Sequence, residues 1–350
     1  MLCMVIKVHA QGGRKSVQLA QVLPAGYDKS GSKDYTKLIQ EAMDKYDTVY
    51  FPAIPLRVSR QGLNVRSNQT LIFKKGSKLM LEPTNLPQYE ILRVKDVRNV
   101  RLIGPNIVGD RKQHIGNGGE WGMGISILGS SNVYISGAVI RDCWGDGIYV
   151  SETLDKNYSE NVTILSTLCD NNRRNGISVI SVKNLLIRNS SFNNTNGARP
   201  MCGIDIEPNH SGNIVENVRL ENIKTDNNGL WGIAICLDKT ELINKHFKVH
   251  NQTTPVSVTI LNHVDTRSES SLFLMTNAGG NAKASRNANF RKGDIKIINP
   301  DWQPKKTPIN AENYAAGGAA VNISFGKSKS KLRSAAKGDI PAVLSNVSIR

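Results

Sequence analysis

Residues Asn161–Val179 read NVTILSTLCDNNRRNGISV. An Asn opens a short run in which apolar and polar residues alternate, a polar turn follows, and a Gly opens a second alternating run. Alternation with a period of two marks a strand with one buried face. The unit recurs along the chain. Asn-initiated runs stand at Asn99-Val100, Asn132-Val133, Asn161-Val162, Asn184-Leu185 and Asn217-Val218, at steps of 33, 29, 23 and 33 residues. Gly-initiated runs stand at Gly124-Ile-Ser-Ile127, Gly147-Ile-Tyr-Val150, Gly176-Ile-Ser-Val179, Gly203-Ile-Asp-Ile206 and Gly232-Ile-Ala-Ile235. Short strands in a fixed order, with no helix between them and turns of varying length, describe the coils of a right-handed parallel β-helix, an all-β solenoid. Asn side chains in register can hydrogen-bond along the stack. A β-sandwich would place Asn-Gly hairpins directly between the alternating runs. Asn175-Gly176 and Asn228-Gly229 occur, but the repeat in constant register favours the solenoid.

A solenoid end exposes its core and needs a cover. Residues 32–46, SKDYTKLIQEAMDKY, carry Leu38, Ile39, Ala42 and Met43 at helical spacing, which predicts a short amphipathic capping helix at the N-terminal end. A strand, Thr48-Val-Tyr-Phe-Pro52, then enters the first coils. The repeat makes residues 11–350 one domain, with the most regular coils over 97–280 and a flexible basic loop over 326–338. Asn346-Val-Ser-Ile-Arg350 has the form of one more opening strand. Residues 1–10 read as the stump of a secretory signal, ending on Val8-His9-Ala10, or as an ordinary first strand. No stretch of about 18 apolar residues could span a bilayer. A secreted, periplasmic or cell-surface protein is the expectation.

Lys and Arg number 45 against 29 Asp and Glu, a net charge of +16, which attracts polyanions of any kind. The basic residues are dispersed and no nucleic-acid-binding motif occurs, so an acidic polysaccharide or oligosaccharide is the expected partner. Cys143, Cys169, Cys202 and Cys236 lack the spacing of a zinc site and read as small apolar fillers.

The chemistry gathers in the turns just before the Gly-initiated strands. The longest, Gly109–Gly122, carries Asp110, Arg111, His114, Glu120 and Trp121. Later turns bring Trp144 and Asp146, then Arg173 and Arg174, then Arg199, then Trp231. Coils stack about 4.8 Å apart, so these residues, with Tyr149 on its strand, form one wall suited to a linear sugar chain, the Trp rings offering flat faces. Core or turn packing of the Trp side chains is the alternative. One strand carries two acids. Asp205 and Glu207 alternate with Ile204 and Ile206, so both face outward, about 7 Å apart. That separation suits an inverting glycosidase, expected to act on a uronate-containing polysaccharide, with one carboxyl protonating the leaving oxygen and the other activating water, and Asp146 stands near enough to pair with either. Such a hydrolase needs no cofactor. The acids could instead bind Ca²⁺ or pair with Arg173, Arg174 and Arg199. A lyase would use Ca²⁺ or Arg to neutralise a uronate carboxylate and a basic residue to remove the adjacent proton, with Arg111, His114, Arg173, Arg174 and Lys183 as candidates. A third reading is a glycan-binding or phage-attachment solenoid without catalysis.

These features resemble the pectate-lyase-like superfamily of right-handed β-helices, which includes pectate lyases, polygalacturonases, alginate-acting enzymes and phage tailspikes. The resemblance runs from Gly26, Asp28, Gly31, Asp34, Tyr35, Ile39 and Phe51-Pro52 through the Asn-initiated coils to about Gly280. It implies a secreted or surface carbohydrate-active protein. Trp144-Gly-Asp-Gly-Ile148 is similar to the Asn-Thr-Asp-Gly motif of polygalacturonases, which implies a catalytic role for Asp146. The next two motifs depart from that pattern: Arg174-Asn175 stands where an Asp-Asp pair is expected, and Met201-Cys202-Gly203 where Gly-His-Gly is. Pectate-lyase Ca²⁺ and Arg motifs are not clearly matched.

Overall fold

A computed structural model describes residues 15–210, 212–237, 254–275, 291–303, 305 and 344–349. Residues 1–10 and 326–338, where the signal stump and basic loop are expected, lie outside them. Every strand pairing is parallel, and each strand lies against its counterpart one coil away, as a β-helix requires. The described strands form a seventeen-stranded and an eight-stranded sheet. The smaller sheet stacks Leu63–Asn64, Gln88–Lys95, Trp121–Leu128, Ile148–Ser151, Ile177–Val179, Ile204–Ile206, Trp231–Cys236 and Ser270–Met275 in chain order.

The alternation predicted for these strands sets their inner face. Ile125, Ile148, Ile177, Ile204, Ile233 and Leu272 pair in register and are buried, as are Ile127, Val150, Val179, Ile206, Ile235 and Leu274 beside them. Burying each such side chain contributes about 1.5–3 kcal/mol, so the stacked columns dominate the cohesion between coils. The initial glycines are required by close approach. A Cβ on Gly147, Gly176 or Gly203 would come within 2.5–2.6 Å of the carbonyl oxygen of the next glycine in the column. The four described cysteines are free and buried.

The predicted Asn ladder is present. Each Nδ2 donates to the Oδ1 one coil back, from Asn217 through Asn184, Asn161, Asn132 and Asn99 to Asn68, at 2.8–3.1 Å. All six have left-handed backbone, φ 53–61°. Asn is one of the few residues with a side chain that tolerates this corner. A second ladder, unforeseen, runs from Asn299 through Asn262 and Asn222 to Asn189.

The helix spans Thr36–Lys45, four residues shorter at its start than predicted. The preceding chain is engaged elsewhere. The Asp28 carboxylate accepts from the amides of Ser30, Ser32 and Lys33, and Tyr35 donates its amide to the Arg57 carbonyl. Those bonds hold the Asp28 carboxyl well below the usual range, the Ser30 hydroxyl contributing most. Thr36, Ile39, Ala42 and Met43 are buried. Near the other end, Leu344–Ile349 pairs with Arg291–Ile298, as expected of a further opening strand.

Candidate functional site

The outer face of the eight-stranded sheet carries the candidate site, and register arranges its residues in columns. Arg93, Ser126, Tyr149, Ser178, Asp205, Ala234 and Phe273 follow one another, one per coil.

At the centre lies Arg174, only 8% exposed, from the turn before Ile177. Its Nη1 donates to Asp146 Oδ2 at 3.0 Å, and Nη2 lies 3.8 Å from Glu207 Oε2. The guanidinium stands over the Trp121 ring at 5.3 Å. Burial alone would lower its pKa, but the charges of Asp146, Asp205, Glu207 and Glu120 reverse that and hold it above the ordinary value. Asp146 is fully buried. Its second oxygen accepts from the Asn175 amide at 3.1 Å, and Ser178 Oγ donates to Oδ2 at 2.7 Å. Burial pushes its pKa up against the opposing pull of Arg174 and these donors. Asn175 links the coils: its Nδ2 donates to Asp205 Oδ2 at 3.1 Å and its Oδ1 accepts from the Cys202 amide at 2.9 Å.

Asp205 follows Ser178 in that column, and it is only 1% exposed. The Glu207 side chain, 22% exposed, is the open member of the acid set. Beyond it lies a pair that sequence reading missed. Glu152 Oε1 and His210 Nε2 are 3.3 Å apart, from the turns after Ser151 and Ile206. The His210 and Ser151 bonds outweigh burial and lower the Glu152 pKa.

The other candidates divide between floor, rim and scaffold. Trp121, 38% exposed, meets the half-buried Tyr149 edge-on at 6.1 Å. Burial pushes the Tyr149 phenol up. Glu120 is half-buried beside Arg173 and Arg174. Trp231, half-buried, stacks on Phe273 with centroids 4.1 Å apart at the upper end. Trp144 is buried, its Nε1 donating to the Gly118 carbonyl, with His114 stacked at 3.8 Å and the Arg173 guanidinium at 3.9 Å. Asp110 bonds His114, Tyr89 and the Thr84 amide. Asp110, His114 and Trp144 thus clamp the long turn onto the coils, and their burial keeps them from a ligand. Arg111 spans coils, donating to the carbonyls of Asn171 and Asn196 at 2.7 and 2.6 Å. Arg173 donates to the Gly119 carbonyl at 2.8 Å. Arg199 is exposed on its turn. Among the described residues, no group of three or more His, Cys, Asp or Glu side chains is placed to hold a metal ion. A divalent cation would not fit among Asp146, Asp205 and Glu207, because the Arg174 guanidinium already occupies their midst.

The family model "Right handed beta helix region" matches residues 88–220 and 123–288, together more than half of the chain. The uncharacterized protein YclG of Bacillus subtilis strain 168 is 29% identical over 215 residues, 52% of this chain. The match spans 36% of that relative's length. The tailspike of E. coli bacteriophage HK620, solved with a hexasaccharide, superposes over 85% of this chain and 52% of its own, with a TM-score of 0.61 and 11% identity. An iota-carrageenase complexed with iota-carrageenan fragments superposes over 81% of this chain and 72% of its own, with a TM-score of 0.60 and 13% identity. No described helix is long and apolar enough to cross a membrane.

Proposed function

The chain belongs to the right-handed β-helix family, and on that footing we propose that it binds a polysaccharide along the outer face of its eight-stranded sheet and cleaves it by inverting glycoside hydrolysis. Two remote relatives of the same fold were solved with sugar chains, which supports a glycan ligand. One observation carries the reading: Asp205, buried on the strand, and the more open Glu207, just past its end, both lie beside Arg174, between the Trp121–Tyr149 and Trp231–Phe273 pairs. The acids' separation of about 7 Å fits the range of about 6.5–9.5 Å that leaves room for the attacking water.

Glu207 is open to solvent and acts as the base. It takes a proton from water as the water oxygen bonds to the anomeric carbon. Asp205 is reached only by a group pressed onto the floor, and it donates its proton to the leaving oxygen as the glycosidic bond breaks. Arg174 and Asp146 are positioning residues, since Asp146 is enclosed and acts through the guanidinium it holds. A β-eliminating lyase would need a base to remove the proton beside the uronate carboxylate, whereas His114 is buried between Asp110 and Trp144 and Lys183 pairs with Glu216. Hydrolysis asks for no metal. The same reading makes the protein secreted, periplasmic or surface-bound, where polysaccharide is met, and makes the Thr36–Lys45 helix the cover of the first coils.

The test is incubation with pectic, alginate, glycosaminoglycan and neutral polymers, following both reducing ends and the ultraviolet absorbance of unsaturated uronate. New reducing ends without absorbance are expected, and Asp205→Asn and Glu207→Gln should each lower the rate by about 10²-fold or more with an unchanged thermal midpoint. Absorbance would establish a lyase. Binding without either signal would leave a glycan-binding solenoid, and full activity in both variants would dismiss this pair.

A further inference from the structure

We infer that the groove seats an uncharged stretch of a longer glycan, with acidic substituents confined to the rim. The inference rests on the glycan-binding reading above and specifies the ligand's chemistry. The floor around the proposed cleavage point is rich in carboxylates: Asp146, Asp205 and Glu207 surround one guanidinium, with Glu152 beyond. A sugar carboxylate lowered onto this floor would meet Asp146, Asp205, Glu207 and Glu120, four carboxylates gathered about the one Arg174 guanidinium, and that excess of like charge disfavours it. Arg174 is already engaged with them, holding Asp146 and facing Glu207, and Arg173, on the Gly119 carbonyl and the Trp144 ring, has Glu120 beside it. Arg199 is the contrasting case: it is exposed on the turn before the Asp205 strand, outside the floor columns.

Aromatic rings bracket the acids. Tyr149, against Trp121, lies two coils below Asp205, and Phe273, stacked on Trp231, lies two coils above it. At about 4.8 Å per coil each platform stands about 10 Å from the acid, and the pair span about 19 Å, the length of a short oligosaccharide. Such platforms recognise the apolar faces of sugar rings, and charge is not required for that. Rings held on both sides of the acids place the cleaved bond inside the chain, so products are oligosaccharides from the outset.

The inference is tested by binding to an array of neutral, mixed and purely uronate glycans at about 0.5 M salt, where the Debye length falls to roughly 4 Å and long-range charge is suppressed. Neutral glycans, or mixed polymers whose acidic sugars are separated by uncharged runs of about four sugars or more, are expected to dominate the binders. Trp121→Ala and Trp231→Ala should each weaken the strongest binder about tenfold with the fold intact by circular dichroism. Binding confined to polygalacturonate and alginate would overturn the inference alone. Neutral binders unaffected by both Trp variants would overturn the placement on the platforms. Absence of any binder would count against the glycan-binding reading itself.

Discussion

At the scale of single residues, Arg174 decides the character of the site. It offsets part of the mutual repulsion of Asp146, Asp205, Glu207 and Glu120. Burial raises the pKa of Asp146, and Arg174 pulls it back. Arg174→Gln therefore leaves a buried carboxylate uncompensated, at a cost of about 3–5 kcal/mol at neutral pH. The sign with pH follows from linkage. Without Arg174 the folded pKa of Asp146 rises further above its unfolded value, so the native state takes up the proton first, and the protonated carboxyl needs no counter-charge. The stability gap between wild type and variant should therefore be widest near pH 7 and narrow as pH falls toward 4, by urea unfolding at each pH. A gap independent of pH would assign the loss to packing of the long side chain instead.

At the scale of the coil, backbone stereochemistry made the fold legible. Only Asn or Gly sits readily at a left-handed corner, and only Gly fits where the next carbonyl stands 2.5–2.6 Å from a Cβ, so both recur at fixed places. Where a coil dispenses with these markers, sequence reading lost it. Ile91 and Ser271 occupy the Gly column in the flanking coils, which is why Phe273, the ring that completes the upper platform beside Trp231, went unseen. Counting from Leu272, the partner of Ile233, would have found Phe273. The turns were less legible for another reason. A pre-strand turn gives no periodicity by which to tell inward from outward, so Trp144, His114 and Asp110 could not be told apart from Trp121, which remains exposed. The ladder makes a prediction of its own. Asn161 donates to Asn132 and accepts from Asn184, at φ 54°. Asn161→Ala loses both bonds and adds left-handed strain of about 1–2 kcal/mol, while Asn161→Gly loses the bonds alone. Urea unfolding should rank wild type above Gly above Ala, with Ala about 2 kcal/mol below wild type. Equal stability of the Gly and Ala variants would show that the corner carries no strain.

At the scale of the whole molecule, two electrostatic ranges act in opposite senses on the same ligand. The surplus of 45 basic over 29 acidic side chains attracts an acidic polymer from a distance, whereas the floor beside Arg174 excludes its carboxylates at contact. Encounter and seating should therefore separate in kinetics. Attraction between exposed charges acts over roughly a Debye length, about 10 Å at 0.1 M salt and about 30 Å at 0.01 M, so it governs the association rate. Contacts on the floor and platforms are short-ranged and govern dissociation. For a mixed acidic glycan, stopped-flow tryptophan fluorescence should show the association rate falling about tenfold or more between about 0.01 and 0.5 M salt, with dissociation nearly constant. A neutral glycan of equal length should associate at a rate insensitive to salt. Replacing Arg199 by Gln should reduce the salt dependence for the acidic ligand only slightly, because it removes one of 45 basic side chains, but should speed its dissociation if a rim carboxylate rests there. Salt that slowed association of both ligands alike would show that the net charge has no part in capture, and the basic character of the chain would then require a different polyanion as its cause.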